Sequence, residues 1–344
     1  MKILVSAAKT GGHIFPAIAV GNEIARLGHE VVFMGTGEPI EVDALKTAKF
    51  KHFVVTMEGF RGKNFFNKIK SLLLIPKSIF STTRIIRKEN IDAMVGFGGF
   101  ITVPIGLAFF LNRKPIFIHE QNSILGSANK LLSKIATINF TAFPLNTSIE
   151  NNIICGNPIR ESFKSFSKEV VNDELIKIYI TGGSQGAEEI NKMLPCAYDV
   201  MNARKYKLQL VQLTGSDDNA ELIDFYGDSP VAVAKQSQEM GALINRADVV
   251  VCRAGASSIA ELIHFKTKAV LIPYPIAAED HQEINADYAC QSNGFYKLHQ
   301  SEIDQFSLAN AIELLMRQDK ELDFSMIDYP DAAEKVLKEI FPKL

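Results

Sequence analysis

Four short loops hold most of the residues that could handle a charged substrate. They are Lys9-Thr10-Gly11-Gly12-His13, Gly96-Phe97-Gly98-Gly99-Phe100, Gly182-Gly183-Ser184-Gln185-Gly186-Ala187 and Arg253-Ala254-Gly255-Ala256-Ser257-Ser258. Glycine lets a backbone approach a ligand closely, and a helix starting after such a loop turns its N–H groups toward negative charge. Ser184, with the glycines around it, presents both N–H and hydroxyl donors to a phosphate, and the small residues of the fourth loop open a helix N-terminus able to receive a diphosphate. The spacing is neither G-x-G-x-x-G nor G-x-x-x-x-G-K-[ST], so neither a nicotinamide cofactor nor an ATP-hydrolysing P-loop is indicated. Any one of these loops can also be just a tight strand-to-helix turn. Four of them, two in each half, argue for an anionic ligand with several parts. Glu261, a turn into the helix after the fourth loop, is placed to accept hydrogen bonds from ribose hydroxyls. The alternative is a helix-start carboxylate that complements the dipole.

Such loops need strands leading in and helices leading away. Apolar runs at 2–8, 30–34, 53–57, 93–97, 115–119 and 137–141 predict six strands, with helical spacing between most of them, as in Ile14–Leu27. The pattern restarts at 177–181, 208–214, 231–234, 248–252 and 269–273. Continuous apolar strands alternating with helices predict parallel sheets covered on both faces. A chain of 344 residues, 47% of them hydrophobic, can fill the cores of two such α/β domains. Gly156-Asn157-Pro158 reads as the joint, with an N-terminal domain over 1–158 and a C-terminal domain over 159–329. The amphipathic stretch Pro330–Phe341 predicts a last helix, and 330–344 is expected to pack back on the first domain. Two doubly wound domains facing each other would bring the glycine loops, at the carboxyl ends of the strands, to one cleft.

Charge divides along the same line. Residues 1–160 carry 19 basic and 10 acidic side chains, residues 161–344 carry 18 and 29. A basic half suits an anionic surface such as a membrane or nucleic acid. Within it, residues 59–88 hold eight basic side chains and no acidic one, interleaved with Phe65, Phe66, Ile69, Leu72, Leu73, Leu74 and Ile75. That composition predicts a helix lying in a membrane interface; the other reading is a core-facing helix with a solvated basic edge. The uncharged stretch Ala93–Asn112 is broken by four glycines and Pro104, so strand, loop and buried helix explain it better than a span. The four cysteines form no C-x-x-C pair, and Cys155 and Cys252 sit in or beside apolar runs. They read as buried thiols in a reducing cytoplasm. Met1-Lys2-Ile3-Leu4-Val5 has no signal-peptide pattern.

Seven blocks in order resemble the signatures of the MurG family of N-acetylglucosaminyltransferases. They are Thr10-Gly11-Gly12-His13-Ile14-Phe15-Pro16, Gly96-Phe97-Gly98-Gly99, His119-Glu120-Gln121-Asn122, Gly156-Asn157-Pro158-Ile159-Arg160, the third and fourth loops, and Asp280-His281-Gln282-Glu283-Ile284-Asn285-Ala286. The resemblance spans residues 10 to 286. It implies the GT-B fold of two Rossmann-like domains. It also implies inverting transfer of N-acetylglucosamine from UDP-N-acetylglucosamine to undecaprenyl-pyrophosphoryl-N-acetylmuramyl pentapeptide (lipid I), forming a β-1,4 link in bacterial cell-wall synthesis. By motif position, Ser184 and Arg160 would meet the donor's phosphate and nucleotide portion. Ala256, Ser257 and Ser258 would cap the diphosphate, Glu261 would hold ribose, and Gln282 would reach sugar hydroxyls. Asn122 would contact the sugar from the first domain, and Thr10, Gly11 and Gly12 would face both substrates. Two positions depart from the family: Ala8-Lys9 stands where two glycines are usual, and Ser237 replaces an aliphatic residue whose backbone reads uracil.

Inverting transfer asks for a base to take the acceptor hydroxyl's proton. Histidine titrates near neutrality, and His13, in the first loop, is the preferred base or positioning group, with Glu120 as competitor. His13 could instead cap its loop or bind the acceptor diphosphate. The leaving UDP needs its charge stabilised. The chain has no D-x-D, so activity without a bound metal or other cofactor is expected, with the amides at Ser257 and the donors of Ser184 and Arg160 in the metal's place. The partners expected are UDP-N-acetylglucosamine, lipid I and the anionic cytoplasmic face of the cell membrane, held peripherally, and no nucleic acid. The competing readings are another glycolipid-forming transferase, a UDP-N-acetylglucosamine epimerase, and a non-catalytic nucleotide-sugar-binding subunit.

Overall fold

The computed structural model describes residues 1–7, 10–55, 65–166, 175–183, 186–277, 280–318, 322–325 and 327–344, and only the backbone over 65–73. The chain runs β1 (Lys2–Ser6), α1 (Gly11–Arg26), β2 (Glu30–Gly35), α2 (Pro39–Ala48), β3 (Lys51–Val54) and α3 (Phe65–Glu89). It continues through β4 (Ala93–Gly96), α4 (Thr102–Leu111), β5 (Ile116–Glu120), α5 (Ser127–Leu132), β6 (Ile138–Thr141) and β7 (Asn152–Ile154). Then come α6 (Glu161–Lys164), β8 (Ile176–Thr181), α7 (Glu188–Ala203), β9 (Leu208–Leu213), α8 (Ala220–Tyr226), β10 (Val231–Ala234) and α9 (Met240–Arg246). Last are β11 (Val249–Cys252), α10 (Ala256–Phe265), β12 (Lys268–Leu271), α11 (His281–Ala289), β13 (Phe295–Lys297), α12 (Gln305–Met316) and α13 (Ala332–Ile340).

Two compact units result. Unit 1 is Met1–Arg160 with Tyr329–Leu344; unit 2 is Glu161–Asp328. Their sheets are wholly parallel, in the orders β3-β2-β1-β4-β5-β6-β7 and β10-β9-β8-β11-β12-β13. The doubly wound α/β class read from the sequence is therefore the class observed. Alternation along β1 explains the two-sided cover: Ile3 and Val5 enter one core with α1 residues Ile14, Val20 and Ile24, while Leu4 enters the other with Ile105 and Phe109 of α4. Val336, Leu337 and Ile340 of α13 join the α1 core. In unit 2, Ile178, Ile180, Val249 and Val251 pack under Ile190, Leu194 and Ala197 of α7 and Leu308 and Ile312 of α12. Ala93–Asn112 forms β4, a loop and α4, and among the described residues no helix is long and apolar enough to cross a membrane. Every strand read from the sequence overlaps a described one, the run at 53–57 being displaced to Lys51–Val54, while residues 8, 56 and 57 of these runs lie outside the described residues. Among the described residues the two not foreseen, β7 and β13, are three-residue edge strands.

This topology places the glycine loops. In each sheet the strand order reverses between the first and fourth strands, the place where doubly wound sheets generally take their ligands. The loops leaving β1 and β4 are the first and second glycine loops; those leaving β8 and β11 are the third and fourth.

Candidate functional site

In unit 1, Thr10 opens α1. Its carbonyl accepts from the His13 and Ile14 amides at 3.0 and 3.1 Å, and its hydroxyl pairs with His13 Nδ1 at 3.0 Å. Nδ1 of the imidazole is thus tied to the Thr10 hydroxyl. Its other edge lies beside the second loop: a Cβ on Gly98 would sit 3.4 Å from His13 Nε2 and from Asn129 Nδ2. Gly98 and Gly99 adopt φ of +86° and +82°, which a side chain would strain. The two glycines of the first loop differ in kind. A Cβ on Gly11 would strike the Phe15 ring at 2.9 Å, whereas one on the exposed Gly12 would meet only Thr10 Oγ1, at 3.9 Å. Gly11 makes room for the protein's own aromatic ring, and Gly12 is the one with open space in front of it. Ala8 and Lys9 lie outside the described residues.

Beside these loops, β5 delivers Glu120 into a buried hydrogen-bond cage. One carboxylate oxygen accepts from the backbone N–H and Nδ2 of Asn122, each at 3.1 Å. The other accepts from the Gly126 N–H and Asn129 Nδ2, each at 2.9 Å. Four donors fill a carboxylate's lone-pair positions, and Glu120 is 2% exposed. A carboxylate so engaged organises the 120–126 loop that carries Asn122. Asn129, which joins Glu120 to the His13–Gly98 contact, was invisible in the sequence: a single amide in a short helix carries no motif. Its neighbour His119 is fully buried and stacks on Phe97 with ring centroids 5.3 Å apart. His119 Nε2 lies 3.0 Å from the Gly156 carbonyl, and Gln121 Nε2 lies 3.1 Å from Nδ1. A carbonyl can only accept, so Nε2 carries the proton and Nδ1 accepts from the amide. Burial lowers this imidazole from 6.5 to about 4, so it stays neutral. Arg160, last residue of unit 1, stacks its guanidinium over the Phe15 ring at 4.6 Å.

In unit 2, Ser184 and Gln185 lie outside the described residues. Gly182 and Gly186 of the third loop are glycine by necessity. A Cβ on Gly182 would stand 2.2 Å from the Ala187 nitrogen, and one on Gly186 the same distance from the Thr214 carbonyl oxygen. In the fourth loop Gly255 is the extended N-cap of α10, and no side chain caps it. The first-turn amides of Ala256, Ser257 and Ser258 therefore have no N-cap oxygen in front of them. Glu261 is 6% exposed, too buried for a plain surface carboxylate. Gln282, in the first turn of α11, accepts the Tyr274 N–H at 2.9 Å. Asn285 Nδ2 donates to the Ala254 carbonyl at 3.2 Å, and Glu283 pairs with Lys297 at 2.6 Å, fixing α11 beside the fourth loop and β13. Arg253 is buried, donates to the carbonyls of Ile272 and Pro273, both at 3.3 Å, and lies over the Tyr274 ring. It knits the β11 and β12 loops together, a role the sequence loop motif gave no sign of. Cys155 and Cys252 are buried, which pushes both thiols up to about 12; neither is a nucleophile at neutral pH.

Comparison with known proteins runs along the whole chain. Residues 3–141 match the glycosyltransferase family 28 N-terminal domain and residues 177–340 its C-terminal domain. A protein of Desulfotalea psychrophila is 32% identical over 350 residues, covering 98% of this chain and 95% of that one. One of Ectopseudomonas mendocina is 35% identical over 324 residues, covering 92% and 90%. Both are named UDP-N-acetylglucosamine–N-acetylmuramyl-(pentapeptide) pyrophosphoryl-undecaprenol N-acetylglucosamine transferase. Among solved structures, MurG of Acinetobacter baumannii superposes with a TM-score of 0.80 at 27% identity, covering 99% of each chain. A UDP-N-acetylglucosamine 2-epimerase of Neisseria meningitidis reaches 0.66 at 12% identity over 99% of this chain and 100% of that one, a likeness of fold alone.

Proposed function

The chain belongs to glycosyltransferase family 28, and from that premise we propose that it transfers N-acetylglucosamine from UDP-N-acetylglucosamine to the C4 hydroxyl of lipid I, giving lipid II for peptidoglycan. The observation that carries this reading is double. Relatives named for that reaction match nearly end to end, and the family's glycine motifs occupy the switch-point loops of both sheets.

Unit 2 takes the donor. The α10 N-terminus, with Ala256, Ser257 and Ser258 in its first turn, receives the diphosphate, its dipole supplying positive potential. Glu261 accepts the ribose hydroxyls, Gln282 reaches the sugar, and Ser184 and Arg160 complete the phosphate contacts. Unit 1 supplies the acceptor side. The acceptor's C4 oxygen attacks the anomeric carbon from the face opposite UDP, the carbon–oxygen bond to UDP breaks with its electron pair leaving on the phosphate, and His13 takes the hydroxyl proton. Glu120, with four donors on its carboxylate, acts as a positioning residue for Asn122 rather than as the base. Removing its cage would uncover a buried charge, a large cost. Negative charge growing on UDP is met by preorganised amides and Arg160, which reorganise little during the reaction.

The same unit meets the membrane. On α3, Lys77, Phe80, Arg84, Arg87 and Lys88 are exposed at helical spacing, Phe80 at 74%. Asn112, at the end of α4, accepts from Arg87 and donates to Thr83, which brings Phe110 and Leu111, 52% and 66% exposed, beside that face. Exposed apolar side chains among cations suit an anionic bilayer surface, so the protein sits peripherally on the cytoplasmic face, where lipid I presents its headgroup. Of the region 59–88, residues 59–64 lie outside the described residues.

His13→Ala tests the chemistry. The expected result is a fall in kcat of roughly a hundredfold or more with the KM for UDP-N-acetylglucosamine nearly unchanged. A rise in acceptor KM at constant kcat would instead make His13 a binding group for the acceptor.

A further inference from the structure

Phe15 lies in the first turn and a half of α1, half-buried, and the proposed reaction gives it no role. Its ring is held between two things. On one side is the Gly11 backbone, where even a Cβ would come within 2.9 Å of ring carbon Cε2 and 3.2 Å of Cδ2. On the other is the Arg160 guanidinium, 4.6 Å from the ring centroid. Arg160 ends unit 1, and α6 begins at the next residue. A long side chain at a chain crossing has many rotamers, and a flat aromatic face fixes the plane of a guanidinium as well as attracting its charge.

We propose that Phe15 is a positioning residue for the donor: its ring, seated on the side-chain-free Gly11, is the platform that orients Arg160 for the diphosphate. This rests on the reading of Arg160 as a donor-phosphate residue. It also gives Gly11 a different reason to be glycine from Gly12. A methyl group at Gly11 displaces the platform, whereas Gly12 is open.

A double-mutant cycle with UDP-N-acetylglucosamine and a lipid I analogue tests it, the variants being Phe15→Leu, Arg160→Ala, the pair together, and Phe15→Tyr. Arg160→Ala raises the donor KM by roughly tenfold or more, and Phe15→Leu raises it roughly three- to tenfold. The double variant is no worse than Arg160→Ala, because Phe15 acts through the arginine. Phe15→Tyr, which keeps an aromatic face, stays within about twofold of the parent. Gly11→Ala reproduces the Phe15→Leu defect and is likewise silent in the Arg160→Ala background. Thermal melting of each variant separates these effects from loss of fold, and Phe15→Tyr keeps the test open should Phe15→Leu unfold. If the Phe15→Leu and Arg160→Ala defects multiply, or if Phe15→Leu leaves the donor KM unchanged while Arg160→Ala raises it, the platform is wrong. If Arg160→Ala itself leaves the donor KM unchanged, the reading of Arg160 fails first and the platform with it.

Discussion

At the scale of single residues, neighbouring motif positions take unlike roles. His119 and Glu120 are adjacent in one signature, yet neither behaves as a solvent-facing acid or base. Glu120 is spent on four donors, and His119 is a neutral strut between β5 and the Gly156 carbonyl. The strut has a measurable cost in acid. Its pKa falls from 6.5 to about 4 on folding, so between those values the unfolded chain binds a proton that the folded chain does not. Stability tied to His119 is complete above pH 6.5 and is lost as pH drops through about 4, a loss of up to about 3 kcal/mol at ~1.4 kcal/mol per pKa unit. Denaturant unfolding across that window should show a shallower pH dependence in His119→Gln, whose amide still donates to Gly156 but does not titrate. Equal slopes in both proteins would contradict the assignment. The sequence marked His119 as one of a motif, but its neutrality depends on Phe97 and Gly156 closing around it, and no spacing rule conveys that.

At the scale of elements, the sequence was legible wherever a strand is buried on both faces. Lys2–Ser6 or Val249–Cys252 reads as strand because its apolar run is continuous. β7 and β13 escaped because an edge strand of three residues, half exposed, has neither run nor alternation. Helix termini were legible through glycine, and they make a prediction. Ser258→Asp adds a carboxylate to the first turn of α10. It favours the helix but repels a diphosphate. The melting temperature should hold or rise while the KM for UDP-N-acetylglucosamine rises roughly tenfold; an unchanged KM would place the diphosphate elsewhere. The α3–α4 face makes another. Burying one aromatic ring in lipid is worth about 1.5–3 kcal/mol, so Phe80→Ser should weaken flotation with anionic vesicles by roughly tenfold or more, and high salt should weaken it further. Flotation insensitive to both would leave the exposed face without its membrane.

At the scale of the whole molecule, composition foretold a division that the structure gives a body to. The basic half of the sequence falls in unit 1 with the α3–α4 face, and most of the acidic half, residues 161–328, forms unit 2, which carries the proposed donor site at α10. On the proposed reading, a net acidic unit would bind a diphosphate by local amides and the helix dipole, not by its overall charge. The reaction consumes a nucleotide sugar and a lipid-linked sugar together. The most direct measurement is UDP release from UDP-N-acetylglucosamine, with and without a lipid I analogue, and with and without a metal chelator. The account predicts release only when the acceptor is present, with N-acetylglucosamine appearing on it, and at the same rate in chelator. Release without acceptor, tight donor binding with no release at all, or loss in chelator restored by magnesium would contradict it.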